Sequence, residues 1–200
     1  MFHRLPRLVW LVALLGLSAC STGNHAPMSV ISNFDESRYL GTWHQVAAIP
    51  AWFQEDCVGN VTATYALDDD GRISVLNACD RADNSRDEAD GKARFTGPRD
   101  EGRLEVSFVS VLGGWLWLAG GDYWIIGLSA DGSQDYAWSL VGEPGRKFAW
   151  ILARQRELDT TTLQNISGIL RDNAYDPCQL IMTTPTHSGP LCELGDQGDQ

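Results

Sequence analysis

Eight short runs in which apolar and polar residues alternate occupy the chain between residues 41 and 154. In RLEVSFV (103–109), the apolar residues Leu104, Val106 and Phe108 alternate with polar ones, which in a β-strand gives one buried face and one wet face. Turn signals such as DDDG at 68–71 separate the runs. Eight antiparallel strands can close into a barrel with room inside for one small ligand. The sequence therefore predicts an all-β, eight-stranded, up-and-down antiparallel β-barrel, with strands at 41–49, 57–67, 72–79, 90–96, 103–111, 122–129, 135–141 and 147–154.

The last periodic segment changes to helical spacing. Leu163, Ile166 and Leu170 recur at three- and four-residue intervals, which is typical of an amphipathic helix. Thr161 and Gln164 fit a capping box at its start. We expect one C-terminal α-helix over about 159–173, packed outside the barrel.

The N-terminus has the organisation of a secretory signal. Arg4 and Arg7 precede an apolar run at 8–17, a charged region followed by a hydrophobic one that is too short for a comfortable membrane span. The run ends in Leu-Ser-Ala-Cys, which resembles the lipobox of bacterial lipoproteins and implies cleavage before Cys20 and acylation of Cys20, for example with palmitate. The following Ser21 favours, by the same resemblance, the outer membrane, with the protein facing the periplasm.

These features divide the chain into four parts. We expect a signal peptide at 1–19, a flexible tether at 20–33, the barrel with its helix at 34–181 and a C-terminal tail at 182–200. Removal of 1–19 takes two arginines and no acid, so 15 basic residues become 13 against 26 acidic ones, and the formal charge moves from −11 to −13. An acidic surface repels polyphosphates, so nucleic acid is not an expected partner.

Three motifs in the right order resemble the lipocalin family. YLGTWHQVAAIP (39–50) is similar to the Gly-X-Trp signature of the first lipocalin strand, and KFAWILAR (147–154) is similar to the last-strand motif that ends in an arginine. VTATYALDDDG (61–71) resembles the second strand and hairpin of the bacterial outer-membrane lipocalins and of apolipoprotein D. The resemblance extends over about 34–181. The family's middle motif departs here, where the chain has the longer SADGSQDYA at 129–137.

The resemblance implies structural roles for three residues. Trp43 would close one end of the barrel, with the Arg154 side chain across its indole ring. A cation over an indole contributes about 0.5–2 kcal/mol. Gly41 would let the chain pass close to this pair. We assign none of the three to ligand chemistry.

The loop GGWLWLAGG at 113–121 is unusually apolar for a surface loop. If Trp43 starts the first strand at the closed end, this loop and the loop that carries Trp52 and Phe53 both lie at the open end. We expect Trp115 and Trp117, with their neighbouring leucines, to form an apolar rim with Trp52 and Phe53 that serves as a ligand entrance or a membrane contact. The alternative is that the segment packs as core or extends the flanking strands.

Counting by twos from anchor residues such as Arg154 gives the side chains that face the barrel interior. An apolar interior with few polar groups is the usual description of a small-molecule site. We expect the ligand to contact Trp150 and Tyr65 foremost, together with Leu152, Ala63, Val75, Asn77, Val106 and Phe108.

Besides Cys20, four cysteines remain, and an oxidising compartment favours disulfides between them. Cys57 and Cys79 share an inferred face of one hairpin, which favours Cys57–Cys79 with Cys178–Cys192, although the hairpin register then requires a bulge. The pattern of apolipoprotein D suggests the alternative, Cys57–Cys192 with Cys79–Cys178.

No catalytic motif accompanies the barrel. His44 is the only histidine within it, and the sequence shows no metal-spaced cluster, nucleophile elbow or phosphate loop. The acidic stretch at 83–90 is interpreted as a solvated loop. We expect no enzyme, metal or cofactor, but a membrane-anchored lipocalin that holds a fatty acid, lysophospholipid or similar amphiphile. The alternative is a structural envelope lipoprotein whose filled barrel binds a partner protein through its rim. Whether the chain forms a homodimer stays open.

Overall fold

The computed structural model describes residues 27–129, 135–184 and 186–195. Within these residues the barrel strands pair antiparallel in chain order, and the last pairs back to the first, which closes the barrel. This confirms the predicted eight-stranded architecture. The barrel strands are β1 (Gly41–Ala48), β2 (Cys57–Leu67), β3 (Ile73–Arg81), β4 (Arg86–Phe95), β5 (Arg103–Ser107), β8 (Gly121–Leu128), β9 (Trp138–Gly142) and β10 (Ala149–Ala153).

Four short strands lie outside the barrel wall. β6 (Ser110–Val111) and β7 (Gly114–Trp115) form a small hairpin in the loop after β5. β11 (Ile181–Thr183) and β12 (Ser188–Pro190) form a second hairpin that extends the sheet beyond β1. The fifth strand predicted at 103–111 is therefore too long. It ends at Ser107, and residues 110 and 111 belong to the β6–β7 hairpin.

Strand β4 corrects the interpretation of the acidic stretch at 83–90 as a loop. Only the turn around 82–85 is a loop, and Arg86 already pairs with Asp80 of β3. The side chains at 86–90 are exposed on both faces of the hairpin. A period-two pattern needs one buried face, so a strand that is wet on both sides carries no such signal.

The C-terminal helix α1 spans Thr160–Asp172 and packs on the outside of the barrel through Leu163, Ile166 and Leu170. Its N-cap is Asp159, whose carboxylate accepts a hydrogen bond from the Thr162 amide at 2.9 Å. The predicted capping box at Thr161 is therefore wrong. Asp159 is extended and caps the helix two residues earlier than predicted, where its carboxylate satisfies free amide groups of the first turn.

The segment before β1 lies against the barrel. The Ser29 amide donates to Asn173 Oδ1 at 2.8 Å beside the end of α1, and Met28 is buried. Ile31 then exchanges backbone hydrogen bonds of 3.1 Å with Gly102 and Ile125. Residues from 28 onward, which the sequence assigned to a tether, thus belong to the packed structure.

The described residues that follow the helix are also packed, as far as residue 195. β11 pairs with β1, and Leu191 is buried and donates its amide to the Leu180 carbonyl at 2.8 Å. A disulfide joins Cys178 to Cys192 on either side of the β11–β12 hairpin. Most of the segment assigned to a tail, as far as residue 195, is thereby fixed to the barrel wall.

Candidate functional site

The closed end of the barrel is built around Trp43, which has no exposed surface. The Arg154 guanidinium lies 3.8 Å from the centroid of its indole ring and donates to the backbone carbonyls of Leu40 at 2.7 Å and Thr42 at 2.9 Å. Gly41 has φ +93°, and a Cβ there would lie 3.4 Å from Arg154 Nη1. Glycine therefore serves both the backbone conformation and the close passage.

Above this end lies a cavity of about 640 Å³ that is open to solvent at the other end of the barrel. Volumes of this order are typical of small-molecule sites. The walls contain all eight side chains that the sequence places inside, which are Ala63, Tyr65, Val75, Asn77, Val106, Phe108, Trp150 and Leu152. Their position follows from strand alternation; their contact with a ligand stays a prediction.

An aromatic cluster forms one side of the mouth. Trp150 stacks on Phe148 with ring centroids 6.0 Å apart and planes 14° from parallel. Phe53 lies 5.6 Å from Phe148, and Trp52 lies edge-on to Phe53 at 5.5 Å. Trp52 and Phe53 thus line the mouth, and Trp52 is 76% exposed. Phe148 lies just before β10, but the predicted strand at 147–154 puts it on the same face as Trp150, so counting by twos could have found it.

The loop after β5 differs from the predicted rim. Neither Trp115 nor Trp117 lines the cavity, and both are half-buried. The Trp117 ring lies under the guanidinium of Arg94 at 4.1 Å, a cation–π contact that holds it against the barrel. The most exposed apolar side chains of this loop are instead Leu112 and Leu118, each essentially fully accessible.

The charges at the mouth are unevenly placed. Lys147 is the only cation among the described residues that line the cavity, which also include the acids Asp122 and Glu143. The Glu143 carboxylate accepts hydrogen bonds from the backbone amides of its own loop, including those of Lys147 and Phe148. Its charge is thereby partly satisfied, whereas the Lys147 side chain is exposed.

The floor of the cavity carries a chain of hydroxyl groups. The Tyr39 hydroxyl is 2.7 Å from that of Tyr123 and 3.0 Å from Ser139 Oγ, and the Tyr65 hydroxyl is 2.9 Å from that of Tyr123. Burial raises the pKa of Tyr39 to about 12 and raises the pKa values of Tyr65 and Tyr123 above their usual range. The floor is therefore neutral at physiological pH and gives an anionic head group no counter-charge.

The sequence identified only Tyr65 of this hydroxyl chain. Tyr39 precedes the first strand, and Ser139 is a small polar residue in an otherwise apolar strand. Tyr123 lies two residues before Ile125 in β8 and so on the same face of the strand, and this spacing could have placed it inside.

The described residues contain no group of three or more His, Cys, Asp or Glu side chains placed to hold a metal ion. His44, on the first strand, has its pKa lowered mainly by burial and further by Arg156 and Arg86. Helices in the described part of the chain are too short or too polar to cross a bilayer. Cys20 lies outside the described residues.

A barrel that is plugged at one end and opens into an apolar cavity at the other is a binding cup for one small molecule. A family model described as the lipocalin-like domain matches residues 34–185. The chain therefore belongs to the lipocalin family.

Curated relatives cover most of the chain. The outer membrane lipoprotein Blc of Escherichia coli K12 is 31% identical over 179 residues, 88% of this chain and 94% of the relative. Apolipoprotein D of Macaca fascicularis is 30% identical over 88% of this chain and 93% of the relative. Temperature-induced lipocalin-1 of Arabidopsis thaliana is 30% identical over 82% and 86%.

Solved structures agree on the fold. Insecticyanin of the tobacco hornworm Manduca sexta superposes with a TM-score of 0.61 at 17% identity, over 84% of this chain and 90% of that one. Apocrustacyanin C2 superposes with a TM-score of 0.57 at 15% identity, over 75% and 79%. At this identity the likeness concerns the barrel alone.

Proposed function

We propose that the cavity binds one long-chain amphiphile, such as a fatty acid or a lysophospholipid, with its chain inside the barrel and its polar head at the mouth. The main support is the open cavity of about 640 Å³, whose lining is mostly apolar. Burial of apolar surface supplies roughly 25 cal/mol per Å² before the entropic costs of binding. An anionic head meets Lys147 at the mouth, whereas the floor offers only neutral phenols.

The alternative hypothesis from the sequence is a structural lipoprotein with a barrel filled by its own aromatic side chains. Trp43, Tyr39 and Phe34 fill only the closed end. The space above them argues for a binding protein, and the lining residues offer no catalytic constellation that would favour an enzyme.

The proposal includes attachment to the outer membrane through an acylated Cys20, which the bacterial relatives named outer membrane lipoprotein support. Six residues separate Cys20 from Pro27, and the connection between them spans at most about 25 Å. Ser29 binds Asn173, whose carbonyl accepts a hydrogen bond from Arg146 in the loop beside the mouth. An anchor that starts from this position holds the open end near the bilayer.

The apolar side chains of the open end suit contact with that bilayer. Leu112 and Leu118 are fully exposed, and Trp52 is 76% exposed. Exposed apolar groups of this kind mark interaction surfaces, and tryptophan favours the membrane interface. We infer that the amphiphile enters the cup directly from the membrane.

Ligand binding is tested by calorimetric titration of the mature chain lacking Cys20 with oleate and with a lysophosphatidylcholine. Asn77 faces the cavity and its side chain makes no hydrogen bond within the described residues, so Asn77→Trp should fill the cavity and abolish binding. Leu76→Trp, the outward-facing neighbour in β3, should bind as the wild type does. Absence of binding by folded wild-type protein refutes the proposal and directs attention to a protein partner.

Membrane contact is tested by flotation with phospholipid vesicles, again without Cys20. Replacement of Trp52, Leu112 and Leu118 by Ser should reduce the bound fraction severalfold. The Trp115→Ser and Trp117→Ser replacement should have the smaller effect, because these rings are half-buried. Equal vesicle binding by the wild type and the Trp52, Leu112 and Leu118 variant contradicts the orientation.

A further inference from the structure

The barrel wall forks between β1 and β2. β1 pairs with β2 only over Gly41–His44, whose partners lie at Tyr65–Thr62. Further along, Ala47 and Ala48 of β1 pair with β11, which lies on the same side of β1 as β2 does. The upper part of β2 therefore diverges from β1 and stays paired only with β3. Above the fork, the two neighbouring strands of the closed barrel share no backbone hydrogen bonds.

A groove of about 640 Å³ fills this fork on the outside of the barrel. Four residues line both the groove and the inner cavity, and these are Gln45, Trp52, Gln54 and Val61. Gln54 Nε2 donates to Gln45 Oε1 at 3.2 Å between the two spaces. No β1–β2 strand pairing thus separates the inner cavity from the groove at this level.

The chemistry of the groove favours hydrocarbon over a charged group. Its lining includes Ala48, Pro50, Val58, Ile181 and Met182 among other apolar residues. Polar groups are hydroxyls and amides, and the only charged side chain among its described lining residues is that of Glu55. A phosphate or carboxylate would find no cation there and would meet a like charge, whereas an alkyl chain would gain by leaving water.

One disulfide lies on each side of the fork. Cys57–Cys79 ties the upper end of β2 to β3, across a stretch in which the β2–β3 register is irregular between Cys57 and Thr62. Cys178–Cys192 ties together the ends of the β11–β12 hairpin. Each side of the fork is therefore held by a covalent bond where the pairing between β1 and β2 is missing. These bonds keep the fork open as part of the native fold.

We propose that the groove is a second acyl-chain subsite, so that the protein takes amphiphiles with two chains. One chain lies in the barrel and the other in the groove, and the polar junction lies at the mouth beside Trp52, which borders both spaces. This inference rests on the proposed function, because it assigns the inner cavity to the first chain.

The test compares two lipids that differ by one chain, dihexanoylphosphatidylcholine and hexanoyl-lysophosphatidylcholine, both below their micellar concentrations. Because each buried methylene strengthens binding severalfold, partial burial of the second chain should tighten Kd at least about tenfold. Val58→Trp puts an indole into the groove from β2, and Val58 does not line the inner cavity. This variant should reduce the preference for the diacyl lipid to about threefold or less and leave the Kd of the lyso lipid unchanged.

Two further variants control the result. Leu67→Trp lies at the other end of β2, where Leu67 is half-exposed and borders neither space, and it should keep the full preference. Ser188→Trp, in β12 on the opposite side of the groove, should act like Val58→Trp. It keeps the test valid if the Val58→Trp protein misfolds. Equal affinity of wild-type protein for the two lipids, or an equal loss for both lipids in Val58→Trp, overturns the groove subsite alone. Failure of both lipids to bind overturns the cup itself.

Discussion

Loss of the Arg154 side chain should destabilise the protein by about 4 kcal/mol. Arg154 donates to the carbonyls of Arg38, Leu40 and Thr42 at 3.1, 2.7 and 2.9 Å, and to that of Tyr136 at a longer 3.4 Å. Its guanidinium also covers the Trp43 ring at 3.8 Å. Hydrogen bonds to a charged group contribute roughly 1.5–3 kcal/mol each, but Arg154 is only half-buried and water can replace part of this. We therefore take about 1 kcal/mol for each of the three shorter hydrogen bonds and about 1 kcal/mol for the cation–π contact.

The measurement is the free energy of unfolding in urea for Arg154→Met, which keeps much of the aliphatic contact. Stabilities of single domains are of the order of 5–15 kcal/mol, so the shift in midpoint should be large. Arg154→Lys keeps the charge but not the planar set of donors, and it should lose about half as much. Arg156→Met, at an exposed neighbouring arginine, should lose less than about 0.5 kcal/mol. A loss below about 1 kcal/mol for Arg154→Met would refute the assignment of this residue as the clamp of the closed end.

Three further predictions concern the floor, the first disulfide and the helix cap. Stability should fall as the pH rises above 10.0, because burial raises the pKa of Tyr39 to about 12 and also raises the pKa values of Tyr65 and Tyr123, so that the fold favours the neutral phenols. Tyr39→Phe should remove its share and make the loss less steep in urea melts between pH 8 and 12, and an unchanged slope would count against the assignment. Replacement of Cys57 and Cys79 by Ala should cost about 3 kcal/mol, since this disulfide closes a loop with a sequence separation of 22, and an unaltered urea midpoint would disprove it. The pKa of the Asp159 carboxyl is lowered from 3.8 by its hydrogen bonds to Thr162. The melting temperatures of the wild type and Asp159→Ala should therefore differ at pH 7 and converge as the pH falls below 3.8. A difference that persists at pH 2 would point to another cause.

Strand alternation made the barrel and much of its interior predictable. Asn77 could be placed in the cavity because it lies two residues from the apolar Val75 and shares its face of the strand. The alternation of β5 placed Val106 in the same way. The same logic fails where a strand has no buried face, as at 86–90 of β4.

Loop residues escaped prediction for a different reason. The positions of Trp115 and Trp117 depend on a two-residue hairpin and on the guanidinium of Arg94, which is distant in sequence. Composition shows that these segments are apolar, but tertiary contacts decide which side chains turn to the barrel and which, like Leu112, stay in water.

The two ends of the barrel divide stability from binding. At the closed end, Trp43 and the groups around Arg154 supply buried contacts and hydrogen bonds that no ligand needs to displace. At the open end the wall forks, and the disulfides Cys57–Cys79 and Cys178–Cys192 supply the restraint that the missing strand pairing does not. Reduction of the disulfides should for the same reason alter ligand preference at concentrations of reductant that leave the closed end folded.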